Sequence, residues 1–145
     1  MLNESSLFNF KLVDEHNTSF LDISSKPHGY IMPSFKFMTF HDVRAIDFTK
    51  TSFSDSHMCV LADYLNNNPQ LYSIVLDENP FTDQSMQTLT NALKRNTTVT
   101  HLSIRKCPNL TDRGINELLK VIADFNMILF QIDLDEGKFD EELAS

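Results

Sequence analysis

The stretch LYSIVLDENPF, residues 71–81, decides the fold, because it matches the spaced pattern L-x-x-L-x-L-x-x-N-x-L at every fixed position. The pattern that starts at Leu71 also starts, at equal spacing, at Val43 and at Val99, and a fourth copy begins at Leu129. Copies in register predict a solenoid whose units stack on one shared core. The pattern residues are Val43, Ile46, Phe48, Thr51, Phe53; Leu71, Ile74, Leu76, Asn79, Phe81; Val99, Leu102, Ile104, Cys107 and, one position late, Leu110; Leu129, Ile132, Leu134, Gly137, Phe139.

The repeat predicts an α/β fold made of three β-α units plus a terminal strand. Each pattern copy supplies a short strand, and the apolar residues after it recur at helical spacing. Ser54 or Asp55, and Thr82 or Asp83, are predicted helix caps, and the third helix is predicted over about residues 112–124. We therefore divide the chain into an N-terminal extended arm or cap (1–42), the repeat domain (43–139) and an acidic tail (140–145).

The segment 1–42 does not follow the spacing of the repeat, since one period before Ile46 the sequence has Thr18. Residues 7–13 and 34–40 alternate with period two, which predicts extended structure. One interpretation is a cap over the first repeat; the other is an arm that docks on a partner, with residues 30–42 capping and residues 1–25 docking. The apolar residues without a predicted core position, and hence the predicted anchors of the arm, are Leu7, Phe8, Phe10, Leu12 and Phe20.

Period two within the strands predicts a binding surface on the concave face of a parallel sheet. Between Leu71 and Leu76, Ser73 and Val75 point away from the core. Stacking aligns equivalent positions into rows. The predicted rows are Ala45, Asp47, Thr49, Lys50; Ser73, Val75, Asp77, Glu78; His101, Ser103, Arg105, Lys106; Gln131, Asp133, Asp135, Glu136.

Half of the residues in these rows are predicted to contact a partner. They are Ser73, Val75, Asp77, His101, Ser103, Arg105, Gln131 and Asp133. The alternative is that Asp77 and Glu78 pair across the strands with Arg105 and Lys106 and recognise nothing.

Composition restricts the class of partner and the compartment. Twenty acidic residues against twelve basic ones give a net charge of −8, and the absence of a Lys/Arg cluster argues against nucleic acid. No run is apolar enough for a membrane helix, and the N-terminus lacks the features of a secretory signal, so a cytoplasmic location is expected. Cys59 and Cys107 occupy non-equivalent positions, which favours free thiols in a reducing compartment.

Residue patterns for catalysis and cofactors are sparse. The five histidines lack zinc-ligand spacing, and the three glycines exclude phosphate-binding loops. Asp55, Asp83 and Asp112 recur at helix starts, where capping explains them, and Asn79 and Cys107 fall at the turn after a strand, where a structural role is expected. No cofactor, metal or small-molecule substrate is predicted.

Two phrases carry a family resemblance. NPFTDQSMQTLTNALKRNTTVTHLSI resembles the ribonuclease-inhibitor-like subtype of leucine-rich repeats, whereas RKCPNLTDRGINELL is similar to the cysteine-containing subtype of F-box proteins and their relatives. The resemblance covers residues 43–139 and implies a fold, not an activity. Residues 1–42 show no F-box, and four copies are fewer than the large horseshoes contain.

Three functions are compatible with these features. The leading hypothesis is a non-enzymatic interaction subunit of a cytoskeletal, ciliary or organellar complex, favoured by the short solenoid and the Phe-rich arm. The second is an adaptor or regulator, either a ubiquitin-ligase substrate adaptor or an actin-filament regulator. The third is a small hydrolase using His101 with Asp77 or Asp133.

Overall fold

The computed structural model describes residues 12–15, 18–68, 70–125 and 131–135, with side chains described for residues 19–68, 70–124 and 131–135. Strands and helices alternate along most of this length. In chain order the elements are β1 (Leu12–Glu15), β2 (Thr18–Asp22), a 3-10 helix (His28–Tyr30), α1 (Ile31–Phe40), β3 (Ala45–Asp47), α2 (Asp55–Asn67), β4 (Ser73–Val75), α3 (Asp83–Leu93), β5 (His101–Ser103), α4 (Asp112–Phe125) and β6 (Gln131–Asp133).

The strands form one six-stranded sheet in the order β1 to β6. β1 is antiparallel to β2, and β2 to β6 are parallel. The register aligns Ile46 with Ile74, Ile74 with Leu102, and Leu102 with Ile132, as the repeat predicts. The predicted fold class, a short leucine-rich-repeat solenoid, is therefore confirmed.

The pattern residues form the core between the sheet and the helices. Phe48, Phe53 and Phe81 are fully buried, and their rings contact one another at centroid distances of 4.9 and 6.4 Å. Ring pairs at such distances contribute beyond the area that they bury. The aromatic contacts thus join the first predicted unit to the second.

The side-chain amide of Asn79 connects the turns of two successive units. It is 1% exposed, and its Oδ1 accepts the backbone N–H groups of Thr51 at 3.0 Å and Phe53 at 2.9 Å. Its Nδ2 donates to the carbonyls of Phe48 and Leu76 at 3.0 and 3.1 Å. Buried backbone groups need such partners, so the predicted structural role of Asn79 is confirmed. At the next turn, the buried thiol of Cys107 donates to the same Leu76 carbonyl.

The aspartates at the helix starts accept hydrogen bonds from the start of the following helix, whereas Ser54 and Thr82 are the N-cap residues of α2 and α3. Asp55, at the start of α2, accepts from the backbone N–H and the hydroxyl of Thr82 at 2.8 and 2.7 Å. Asp83, at the start of α3, accepts from the backbone N–H of Thr111 at 2.9 Å and from its hydroxyl. A Cβ at Gly114 would collide with the Asp83 carboxylate, which explains a glycine in the first turn of α4.

The extended conformation predicted for residues 34–40 is wrong, because these residues lie in α1. Ile31, Ser34, Phe35 and Met38 are buried at helical spacing, so packing prevails over the alternation of Phe35 and Phe37. The Ser34 hydroxyl donates to the Ile31 carbonyl within the helix.

The prediction that the N-terminal segment stays outside the repeat is also corrected. β2 pairs in parallel with β3 in a register that places Leu21 beside Ile46. The number of residues between Leu21 and Ile46 is smaller than the number between the partners Ile46 and Ile74. Leu21 and Ile23 are buried in the core, so residues 18–25 are structural and do not form a separable docking arm. Leu7, Phe8 and Phe10 lie outside the described residues, as do Leu129, Gly137, Phe139 and the tail 140–145; of Leu12 only its place in β1 is described.

Removal of an inter-unit cap tests the stacking of the helices. We expect Asp55→Ala to lower the free energy of unfolding by about 1–2 kcal/mol, because the Thr82 amide and hydroxyl lose their acceptor. Burial works to raise the pKa of Asp55, but the hydrogen bonds from Ser85 and Thr82 outweigh it and the pKa is lowered. The stabilisation is therefore present above the ordinary pKa of 3.8 and is lost as the pH falls through the lower folded pKa.

The matched control is Asp112→Ala. Asp112 occupies the same position in α4 but is exposed, and no described helix follows α4 to donate to it. Urea unfolding at neutral and acidic pH measures both variants. Equal losses for the two substitutions would contradict the inter-unit cap.

Candidate functional site: the concave sheet face

The sheet face opposite the helices, here called the concave face, carries alternate residues of β2 to β6. In the central strand β4 these residues are Ser73 and Val75, which are both half-buried. Ile74, which lies between them, is fully buried. Register places His101 next to Ser73, and Gln131 next to His101. Residues far apart in the sequence therefore lie side by side.

The His101 imidazole bridges two neighbours on this face. Its Nδ1 lies 2.9 Å from the Ser73 hydroxyl, and its Nε2 lies 2.8 Å from Asp133 Oδ2. A carboxylate only accepts, so Nε2 carries a proton; in the neutral imidazole Nδ1 then accepts from the Ser73 hydroxyl. The three side chains form one hydrogen-bonded chain across three strands, from β4 to β6.

Asp133, at one end of these hydrogen bonds, also contacts two further groups. It accepts from Gln131 Nε2 at 3.2 Å and lies 3.6 Å from the Arg105 guanidinium. The hydrogen bond from His101 is the largest cause of a lowered pKa for Asp133, so this carboxylate is charged at neutral pH. The Arg105 side chain is 53% exposed and thus presents a positioned cation to solvent.

Asp77 organises a second cluster on the same face. It accepts from the Ser103 hydroxyl and from the backbone N–H of Arg105, each at 2.7 Å. The alternative in which Asp77 pairs with the Arg105 side chain is wrong: Asp77 accepts from the Arg105 backbone, and the guanidinium lies near Asp133. Similarly, Asp135 accepts from the backbone N–H of Lys106 at 2.7 Å.

The first strands of the concave face are acidic. Asp22 of β2 and Asp47 of β3 are register partners. Partial burial raises the pKa of Asp47, and the negative charges of Asp22 and Asp77 add to that effect. The face is thus divided into an acidic side over β2 and β3 and a mixed side, with Arg105 and His101, over β5 and β6.

One rim of the face is formed by the turns after the strands. Lys50, Glu78 and Lys106 occupy equivalent turn positions and have left-handed backbones, with φ of 54°, 57° and 54°. A non-glycine residue in this conformation carries a backbone cost of roughly 1 kcal/mol. All three side chains are exposed, and each is the last member of its predicted row.

The structure places most of the predicted contact residues on one surface. Eight predicted contact residues lie in strands or just after them and are at least partly exposed: Phe20, Ser73, Val75, Asp77, His101, Arg105, Gln131 and Asp133. Ser103 is 3% exposed, so it cannot contact a partner as predicted; it holds Asp77 instead.

Sequence reasoning missed Asp22, because β2 belongs to a unit that is shorter than the regular repeat. A search at the repeat spacing therefore cannot align it with Asp47. The signal that could have found it is the likeness of FLDI, residues 20–23, to AIDF, residues 45–48, in which the two aspartates take the same place.

Neither a metal-ligand cluster nor a membrane-spanning helix is found among the described residues. No group of three or more His, Cys, Asp or Glu residues among the described residues is arranged to hold a metal ion. None of the described helices is long and apolar enough to cross a membrane. Cys59 is exposed, and both described cysteines are free thiols.

Comparison with known proteins supports the fold alone. No protein-family model matches the sequence, and no curated protein matches it. Among solved structures 23 chains match, including "Leiomodin-1 Actin-Binding Site 2 (ABS2)". The match has a TM-score of 0.75 at 17% identity and covers 90% of this chain and 78% of the leiomodin chain. An identity this low shows a shared architecture only.

Loss of the imidazole should change the titration of Asp133. In His101→Ala we expect the pKa of Asp133 to rise toward the ordinary aspartate value of 3.8, because its main hydrogen-bond donor is removed. Carboxyl-resolved NMR titration measures this pKa directly. The matched control is Ser73→Ala. It removes the hydrogen bond between Ser73 and His101 but keeps the one between His101 and Asp133, so the pKa of Asp133 should stay lowered. An unchanged Asp133 titration in His101→Ala would contradict the hydrogen-bonded chain.

Proposed function

We propose that this chain is a non-enzymatic protein-interaction subunit of a larger assembly and that it binds its protein partner through the concave face. The observation that supports the proposal most directly is the network that joins Ser73, His101 and Asp133 and orients Arg105. Side chains held before binding lose less conformational freedom when a partner docks. The contact residues are those of the concave face, with Phe20 at its edge.

The character of the surface also supports a protein partner. The face combines half-buried apolar groups, such as Val75, with carboxylates and one exposed guanidinium. Arginine is enriched in the energetically dominant positions of protein interfaces. The net charge of −8 makes a nucleic-acid backbone a poor match.

The serine, histidine and aspartate on this face are residue types of a hydrolase triad, but their surroundings favour a binding role. An acyl-transfer site needs N–H donors aimed at the developing oxyanion. The backbone N–H groups of Tyr72 and Ser73 both donate to the Arg44 carbonyl within the sheet and are not free for that purpose. We therefore expect no ester hydrolysis that depends on His101; robust turnover lost in His101→Ala would overturn the non-enzymatic assignment.

A second candidate is a regulator of actin filaments. One solved structure of the same architecture is an actin-binding site of leiomodin-1. Co-sedimentation of this chain with actin filaments tests the candidate. Absence of the chain from the filament pellet would remove actin from the partner classes and leave the interaction-subunit proposal intact.

Charge reversal at Arg105 tests the proposed binding face. We expect Arg105→Glu to weaken partner binding at least about 10-fold, because it places a carboxylate beside Asp133 and Asp77 at the centre of the face. Affinity capture from cells of the source organism, with the bound protein identified by mass spectrometry and its affinity measured, provides the readout.

The control is Arg113→Glu, the same charge change at an exposed position of α4 on the helical side. Partner binding should be retained in this variant. Retained binding in Arg105→Glu together with lost binding in Arg113→Glu would place the partner on the helices and refute the proposed site.

A further inference from the structure

A polar groove lies between the second halves of α2 and α3, on the helical side of the solenoid. Its volume is about 380 Å³, and it is lined by Asn66 of α2, by Asn91 of α3, and by Lys94 and Arg95 directly after α3. A second hollow of about 320 Å³ shares Asn66 and Arg95 with it. The groove therefore continues around the ends of the two helices.

The charge of the groove is opposite in sign to that of the whole chain. Lys94 and Arg95 supply its charged side chains, and no Asp or Glu is among the described residues that line the groove or the adjoining hollow. The chain as a whole has a net charge of −8. The equivalent groove between α3 and α4 differs, because Asp83 and Glu117 line it together with Arg113. The α2–α3 groove is thus a local basic site on an acidic protein.

The repeat explains why hydrogen-bonding groups gather beside these cations. One repeat period before Lys94 and Arg95 the chain has Asn66 and Asn67, so stacking aligns amides with cations. The side-chain amides of Asn66 and Asn91 form no hydrogen bond with another described residue. An asparagine amide offers a donor and an acceptor, and this pair matches the N–H and C=O groups of a peptide backbone.

The carbonyl groups at the helix ends do not cancel the positive charge of the groove. Carbonyls at a helix C-terminus disfavour anions when they are left exposed. After α3, the backbone N–H groups of Lys94, Arg95 and Asn96 donate to carbonyls of its last turn. After α2, the backbone N–H and the Nδ2 of Asn68 donate to the Tyr64 carbonyl at 2.9 and 3.1 Å. The side chains of Lys94 and Arg95 therefore dominate the charge that a ligand meets.

The dimensions of the groove suit an extended peptide. From Thr88 to Arg95 the chain rises roughly 10 Å, which equals about three residues of extended chain. Asn66, Asn91 and Arg95 are exposed, so the groove is open to solvent and does not enclose a small molecule. Two cations are few for a phosphate backbone, whose binding depends on several such contacts. They are sufficient to pair with carboxylates along a peptide.

We propose that the groove between α2 and α3 binds an extended acidic segment of another protein. Carboxylates of the segment pair with Lys94 and Arg95, and the amides of Asn66 and Asn91 bind its peptide groups. This site is separate from the concave face, because it lies on the helical side of the sheet. It therefore goes beyond the proposed function.

A fluorescein-labelled oligoglutamate peptide is the probe, and its fluorescence anisotropy at low ionic strength measures binding to the full chain. We expect saturable binding, although the net charge of the chain repels the peptide. The double variant Lys94→Glu/Arg95→Glu should weaken this binding at least about 10-fold. The control is Arg113→Glu/Lys120→Glu, which makes the same change in net charge at exposed positions of α4 and should retain the affinity.

Four outcomes would overturn the proposal. The first is the absence of saturable binding by the unmodified chain. The second is an equal loss in the two double variants, which would reduce the effect to long-range repulsion. The third is displacement of the peptide by inorganic phosphate at the same concentration of charge, which would assign the groove to free anions.

The fourth outcome is a loss of peptide binding in Arg105→Glu while Lys94→Glu/Arg95→Glu still binds, which would place the peptide on the concave face. Urea unfolding of each variant verifies that it is folded. The probe is synthetic and the assay does not require the partner of the concave face. Failure of this proposal and failure of the proposed function are therefore distinguishable.

Discussion

The buried amide of Asn79 is the constraint on which the stacked architecture depends. It satisfies backbone donors of the preceding turn, at Thr51 and Phe53, and carbonyls of both turns, at Phe48 and Leu76. A shift of one residue between the units would leave these buried groups without partners, at a cost of about 1–3 kcal/mol each. The amide therefore selects one register, and the register determines which side chains become neighbours.

The proposed binding surface follows from that register. Because the strands are in register, Ser73 lies beside its partner His101, and Asp133, two residues beyond the partner of His101, also comes within hydrogen-bond distance of it. Asp133 in turn orients Arg105. The same alignment on the opposite side places Asp55 against Thr82 and Asp83 against Thr111. Stability and the arrangement of the proposed binding face thus have a common origin in the stacking of units.

Sequence reasoning succeeded where a residue's environment is set by the repeat itself. The register of Ile46, Ile74 and Leu102, and the outward positions of Ser73 and His101, follow from the period of the repeat and from the alternation within each strand. It failed where another force decides. α1 forms because Ile31, Phe35 and Met38 pack at helical spacing, although Phe35 and Phe37 also fit a strand. The bond from Asp77 to the Arg105 backbone depends on the path of a turn, which no spacing encodes.

The location of the partner on the concave face is tested most directly by cross-linking the captured complex with a lysine-specific reagent. Lys50 and Lys106 lie on the rim of that face, whereas Lys94 follows α3 and Lys120 lies within α4 on the helical side, and all four are exposed. We predict that cross-links to the partner concentrate at Lys50 and Lys106. Cross-links confined to Lys94 and Lys120 would contradict the account, because they would show that the partner covers the helices and leaves the sheet open.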